Sequence, residues 1–267
     1  MCAQPSAPHH SLGHIQNPSQ FVDTFAEMLR VVNSRRVSLN KRHIRGFSSS
    51  SKHQFSFDIA CRGKSCRSML FPSPDACGED SYFTQGTKTL GISDGVGGWK
   101  SKNVDPAIIS RSLMQHASET ASDDPLATPI LILSEAYKKT LCDPNVYAGS
   151  TTACIIRLNE DKDHKLKLQY ANLGDSGLLI VRNNEIVFQS AFQKYHGIAP
   201  YQLAKLPPEL KNQGCIESSV EDADCGEFEV QEGDIVVLAT DGVWDNFASD
   251  LRQRGSFLPV SSTLLYF

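Results

Sequence analysis

Four places in this 267-residue sequence set carboxylates beside glycine where an apolar run ends or a turn is called for. The stretch 90–99 (LGISDGVGGW) runs into Asp94-Gly95, and 235–246 (IVVLATDGVWDN) runs into Asp241-Gly242, with Asp245 close behind. Asp175 sits in a glycine-bracketed turn at 171–177 (ANLGDSG), and Glu79-Asp80 follows Gly78. A sheet holds such side chains rigidly, and glycine lets backbone or ligand approach closely. Carboxylates that converge repel by up to ~4 kcal/mol per pair at ~4 Å and an effective dielectric of ~20. A divalent cation removes that cost, and an all-oxygen ligand set selects hard ions such as Mg²⁺ or Mn²⁺ over zinc. Taken singly, Asp-Gly after a strand is also an ordinary turn signal. The number and order of these places carry the metal reading.

Positioning them requires strands that end together. Segment 87–93 reads as a strand entering a buried sheet. Asp105-Pro106 and Thr128-Pro129 are helix starts, with a capping side chain followed by proline in the first turn. Ile109, Leu113 and Ala117 give the first helix its apolar stripe. Ile130, Leu133, Tyr137 and Leu141 give the second its stripe, and Pro144 stops it. Strands follow at 150–158, 166–173, 177–182, 185–189, 227–230 and 234–240, with Asn183-Asn184 as a hairpin turn and 159–165 as a surface turn. Residues 190–226 read as a long irregular flap. The expected class is α+β, with two packed antiparallel β-sheets (a β-sandwich) flanked by helices.

Composition narrows the function. The chain is 40% hydrophobic and 21% charged, which excludes a wholly disordered protein, and no apolar run approaches the ~18 residues of a membrane span. The net charge of −4 divides into +5 over residues 1–57 and −9 over the rest. A body that acidic is a poor nucleic-acid binder and a good concentrator of divalent cations. None of the eight cysteines forms a C-x-x-C pair, so they read as ordinary reduced thiols. Residues 28–57 hold seven Lys/Arg, seven serines and no acid, the composition of a mitochondrial transit segment, and 21–32 can form an amphipathic helix. The organisation expected is a leader over 1–57, a domain over 58–246 and a divergent tail over 247–267. Localisation is expected to be mitochondrial or, failing import, cytoplasmic.

The ordered set Gly78-Glu79-Asp80, DGVGGW (94–99), GSTTA (149–153), NLGDSG (172–177) and ATDGVWDN (239–246) resembles the metal-dependent (PPM, type 2C) serine/threonine protein phosphatases. GVGGW and the basic leader are similar to the mitochondrial branch of that family, which has yeast and insect members. The resemblance spans roughly residues 58–246. It implies two Mn²⁺ or Mg²⁺ ions at one edge of the sandwich, with a weaker third in some members, and a phosphoserine or phosphothreonine protein as substrate. It also implies that Asp94 bridges both ions, that Gly95 reaches one through its carbonyl and a water, that Glu79 supports the second and that Asp241 holds the first. Asp175 and Asp245 match positions for the third ion, and Asp80 stands behind the ligands.

The chain departs from the family pattern in three ways. Val96 replaces a histidine that follows the first Asp-Gly in many members, leaving His116 and His196 elsewhere. No base occurs from Pro72 to Gly78, where an arginine that grips phosphate is common, so Arg62, Lys64 and Arg67 are candidate substitutes. After Asn246 there is no late Asp-Asp pair, Asp250 lying too near Asp241 to replace it, so the domain reads as C-terminally incomplete. An alternative expectation follows: a catalytically impaired regulatory or binding protein on the same fold. A different metal phosphoesterase such as a nuclease fits the acidic body less well. The run 217–234, free of Lys and Arg, is either a docking surface or a solvated face.

Overall fold

The computed structural model describes residues 56–62, 77–183, 185–211, 214–245 and 263–266. A first unit, Met1–His43, lies wholly outside these residues. So do nearly all of the leader, including the expected 21–32 helix, and most of the 247–267 tail.

Alternation along the strands sets the layers, because successive side chains of a strand point to opposite faces. In β3 (Thr89–Asp94) and β5 (Ala153–Glu160), Leu90, Ile92, Cys154 and Ile156 face a second sheet. There they meet Leu178 and Ile180 of β7 (Gly177–Arg182) and Val236 and Leu238 of β13 (Ile235–Ala239). The alternate residues Ala153 and Ile155 face the helices with Phe83 of β2 (Asp80–Gln85). On that side α1 (Pro106–Asp123) contributes Leu113, Met114 and Ala117, and α2 (Pro129–Cys142) contributes Ile132, Leu133 and Ala136.

The first sheet has the order β12 (Asp224–Glu229), β6 (Leu166–Leu173), β5, β3, β2, and every pairing in it is antiparallel. The second has the order β1 (Ile59–Arg62), β14 (Thr263–Tyr266), β13, β7, β8 (Glu185–Gln189). Within it β14 pairs parallel with both β1 and β13, so the sandwich contains one mixed sheet, and part of the tail is built into it. β4 (Gly149–Thr151) pairs with β11 (Leu203–Lys205), and β9 (Lys194–Tyr195) pairs with β10 (Ala199–Pro200).

Most sequence expectations hold. Asp105 caps α1 by accepting from the Ala107 N–H at 3.0 Å, and Thr128 caps α2. Asn183 takes a positive φ of 50°, as the hairpin requires. Others are corrected. The run 150–158 is two strands broken at Thr152, whose side chain serves the site described below. Of the expected α2 stripe, Leu133 is in the core and Ile130 and Tyr137 pack against it, beside Ile132 and Ala136, while Leu141 is 40% exposed. Segment 190–226 carries short strands and the start of β12 rather than a bare flap. The strands β1 and β2 go beyond the sequence reading; β2 buries one residue, Phe83, too weak a signal for alternation to show. No helix of the described residues is long and apolar enough to cross a membrane.

The Asp105 cap stands at the entrance to α1, the helix that covers β2 and β3. Asp105→Ala is expected to destabilise the protein by about 1 kcal/mol, read from the midpoint of urea unfolding with its slope unchanged.

Candidate metal centre

The carboxylates singled out above leave the sheets at one end. Asp80 opens β2 and Asp94 closes β3, and the two are direct partners across the ladder. Ala239 of β13 pairs with Gly177 of β7, so Asp241, just after one, and Asp175, just before the other, emerge side by side. Residues 241–245 continue as a short helical turn, tied back by the Trp244 indole N–H donating to the Ala239 carbonyl at 2.7 Å.

Backbone straps fix Asp94. Its carbonyl accepts from the Thr151 hydroxyl at 2.7 Å and the Thr152 N–H at 2.9 Å, and its N–H donates to the Thr152 hydroxyl at 3.2 Å. That hydroxyl also lies 2.7 Å from the Ser176 hydroxyl, joining the GSTTA and GDSG motifs across the two sheets. Gly95 donates its N–H to the Glu79 carbonyl at 3.1 Å. A Cβ at Gly95 would fall 2.2 Å from the Pro106 carbonyl oxygen, so no other residue fits between β3 and the start of α1. Ser110 donates to the Glu79 carbonyl at 2.6 Å and Arg111 to the Gly78 carbonyl at 3.2 Å, so α1 clamps the Gly78-Glu79 backbone from the other side.

The side chains then crowd. Asp94 hydrogen-bonds both Asp80 and Asp241. Burial, followed by repulsion from Asp80 and Asp241, pushes the Asp94 carboxyl well above the ordinary carboxylate range. Burial is also the main cause that pushes Asp80 up to about 7, with Asp241 and Glu79 adding to the shift and the interaction with Asp94 opposing it. Asp80 thus lies against Asp94, as a residue standing behind that ligand would. Burial raises Asp175 too, against the Lys194 hydrogen bond that lowers it.

Two lysines that the sequence reading did not single out complete the edge. Lys100, in the 3-10 turn Gly97–Lys102, pairs with the Glu79 carboxylate. Lys194 lies 3.1 Å from Asp175. Neither has an acid within four residues on either side in sequence, so no local spacing names its partner. His116 sits instead beside Glu119 at 3.1 Å and Asp143 at 3.8 Å, and His196 occupies the exposed β9–β10 turn with φ 48°. The side chains of Arg62, Lys64 and Arg67, and all of Asp250, lie outside the described residues.

In donor chemistry, Asp80, Asp94 and Asp241 fit a hard divalent cation: they are acceptor-only when ionised, held rigid and pressed together. Among the described residues no three His, Cys, Asp or Glu side chains already surround one point. Here Asp94 hydrogen-bonds its two neighbours, while Glu79 and Asp175 each answer to a lysine.

A pH dependence follows. From about pH 4 to about 7, folded Asp80 and Asp94 keep protons that the unfolded chain has lost, so stability falls as pH rises through that window. Asp80→Asn is expected to flatten the fall. Urea unfolding of both proteins at about pH 5 and about pH 8 measures it, and an identical pH dependence in the two would contradict the crowding.

No protein-family model matches the chain. A protein phosphatase PTC7 homolog of Xenopus laevis is 36% identical over 189 residues, covering 69% of this chain and 62% of the relative. The yeast (Saccharomyces cerevisiae) protein phosphatase 2C homolog 7, mitochondrial, is 36% identical over 190 residues, covering 65% and 54%. Among solved structures, the photosystem II phosphatase PBCP superposes with a TM-score of 0.52 at 31% identity, covering 63% of this chain and 61% of that one. The chain therefore spans less than two thirds of the length of these relatives. The family resemblance read from the five motifs holds: by sequence this chain is a homologue of the PTC7-type protein phosphatases, and its α+β sandwich is the PPM phosphatase fold.

Proposed function

We propose that the chain is a metal-dependent protein phosphatase that hydrolyses phosphoserine and phosphothreonine. The observation that carries this reading is the contact of Asp94 with Asp80, its partner across the ladder, and with Asp241, nearly 150 residues on and beyond the end of a strand in the other sheet. Asp94, Asp80 and Asp241 would hold two Mn²⁺ or Mg²⁺ ions, with Glu79 and the Gly95 carbonyl in support. When bound, such ions acidify a shared water and neutralise charge on the phosphoryl oxygens.

The protein's own part is placement. Thr151 and Thr152 hold Asp94 by its backbone, which leaves its carboxylate oxygens for the ions. The clamp from Ser110 and Arg111 keeps Glu79 at the mouth of the site. Lys100, 28% exposed beside Glu79, supplies positive charge where a phosphoryl group would enter. The naming of the PTC7 relatives as protein phosphatases supports a phosphoprotein substrate. The acid-free segment 28–57 and the yeast relative's mitochondrial designation support import into mitochondria.

The alternative, a regulatory or binding protein on the same fold, draws on the lysines paired with Glu79 and Asp175. One experiment separates the two. The enzyme reading expects Mn²⁺-dependent release of phosphate from a phosphothreonine peptide, and Asp94→Asn lowering kcat/KM by about a hundredfold or more, roughly 2.7 kcal/mol of barrier. Equal rates for the two proteins, or release that ignores Mn²⁺, would sink it.

A further inference from the structure

Asp175 differs from its neighbours in the cluster. Its side chain is 5% exposed, and its Oδ2 lies 3.1 Å from the Lys194 ammonium. The lysine does not arrive there by chance of a long side chain. Gln193, immediately before it, is pinned on several sides. Its N–H donates to the Gly174 carbonyl at 2.9 Å and its Oε1 accepts the Gly174 N–H at 3.0 Å. Its Nε2 donates to the Asp222 carbonyl at 2.7 Å, and its own carbonyl accepts the Tyr201 N–H at 3.0 Å. Gly174 takes a φ of 106°, and a Cβ there would fall 2.7 Å from the Tyr201 carbonyl oxygen. The turn carrying Asp175 and the strand carrying Lys194 are therefore built against each other. Asp245 and Asp241 add to the negative field at the ammonium.

A divalent ion would need a carboxylate oxygen at about 2.0–2.1 Å, which would set its double charge beside the ammonium that already lies against Oδ2. We infer that Lys194 is a built-in counter-ion: it takes the charge role of a third divalent cation at Asp175 and competes with one for that carboxylate. This inference rests on the metal-centre reading above. It revises the expectation for Asp175, which becomes the partner of a lysine rather than a holder of an ion.

Calorimetric titration of the full chain with Mn²⁺ tests it without reference to turnover. The wild type is expected to take two ions. Lys194→Met should gain a third, or tighten the weakest site at least about tenfold, because a buried carboxylate left without its partner recruits a cation. Lys194→Gln carries the same expectation should the methionine variant misfold. Lys194→Arg, which keeps the charge, should titrate like wild type, and adding Asp175→Asn to Lys194→Met should abolish the gain. Two ions in wild type with no change in Lys194→Met and Lys194→Gln would overturn this inference alone, as would an equal gain in Lys194→Arg. No Mn²⁺ bound by any of the proteins would overturn the metal centre and this inference together.

Discussion

Like charges forced together out of water set the terms for this structure. A buried carboxylate is costly, and several in contact are more so unless protons, ammonium groups or metal ions intervene. At the end of this sandwich carboxyl-to-carboxyl contacts and two ammonium groups intervene. Asp94 hydrogen-bonds Asp80 and Asp241, Lys100 covers Glu79 and Lys194 covers Asp175. Such crowding persists only where the backbone beneath it cannot relax. The straps from Thr151 and Thr152 and the missing side chain at Gly95 provide that rigidity.

The helical layer is part of the same construction. Through Leu113, Met114 and Ala117, α1 closes the hydrophobic core over the first sheet. Its first turns reach the site, with Ser110 and Arg111 holding the Gly78-Glu79 backbone and Pro106 abutting Gly95. Packing energy gained along the length of the helix is thereby used to hold its N-terminal end against the carboxylates. A change in the core under α1 would be transmitted to Glu79 through two hydrogen bonds rather than through the solvent.

Much of this could be read from residue types alone. Strand ends at Asp94 and Asp241, both helix caps and the β7–β8 hairpin are local signals, and each appears where local chemistry puts it. What was not legible depends on partners distant in sequence. The strand β2 shows one buried residue and becomes a strand by pairing with β3. Asp80 is one of the carboxylates read from sequence, but its partner Asp94 is set by the ladder. Lys100 and Lys194 are surface-type residues in sequence, and the folded geometry alone assigns them to Glu79 and Asp175.

The parallel placement of β14 between β1 and β13 has a kinetic consequence. Ile59 and Thr263 are register partners roughly 200 residues apart, so the loop they close is among the longest the chain can make. During synthesis the antiparallel sheet, whose last strand ends at Glu229, and both helices precede residue 263, while β13 has one flank unfilled. An unfilled flank on an apolar strand is a template for the wrong neighbour. Residues 263–266 cover that flank of β13, and they are the last part of either large sheet to be synthesised.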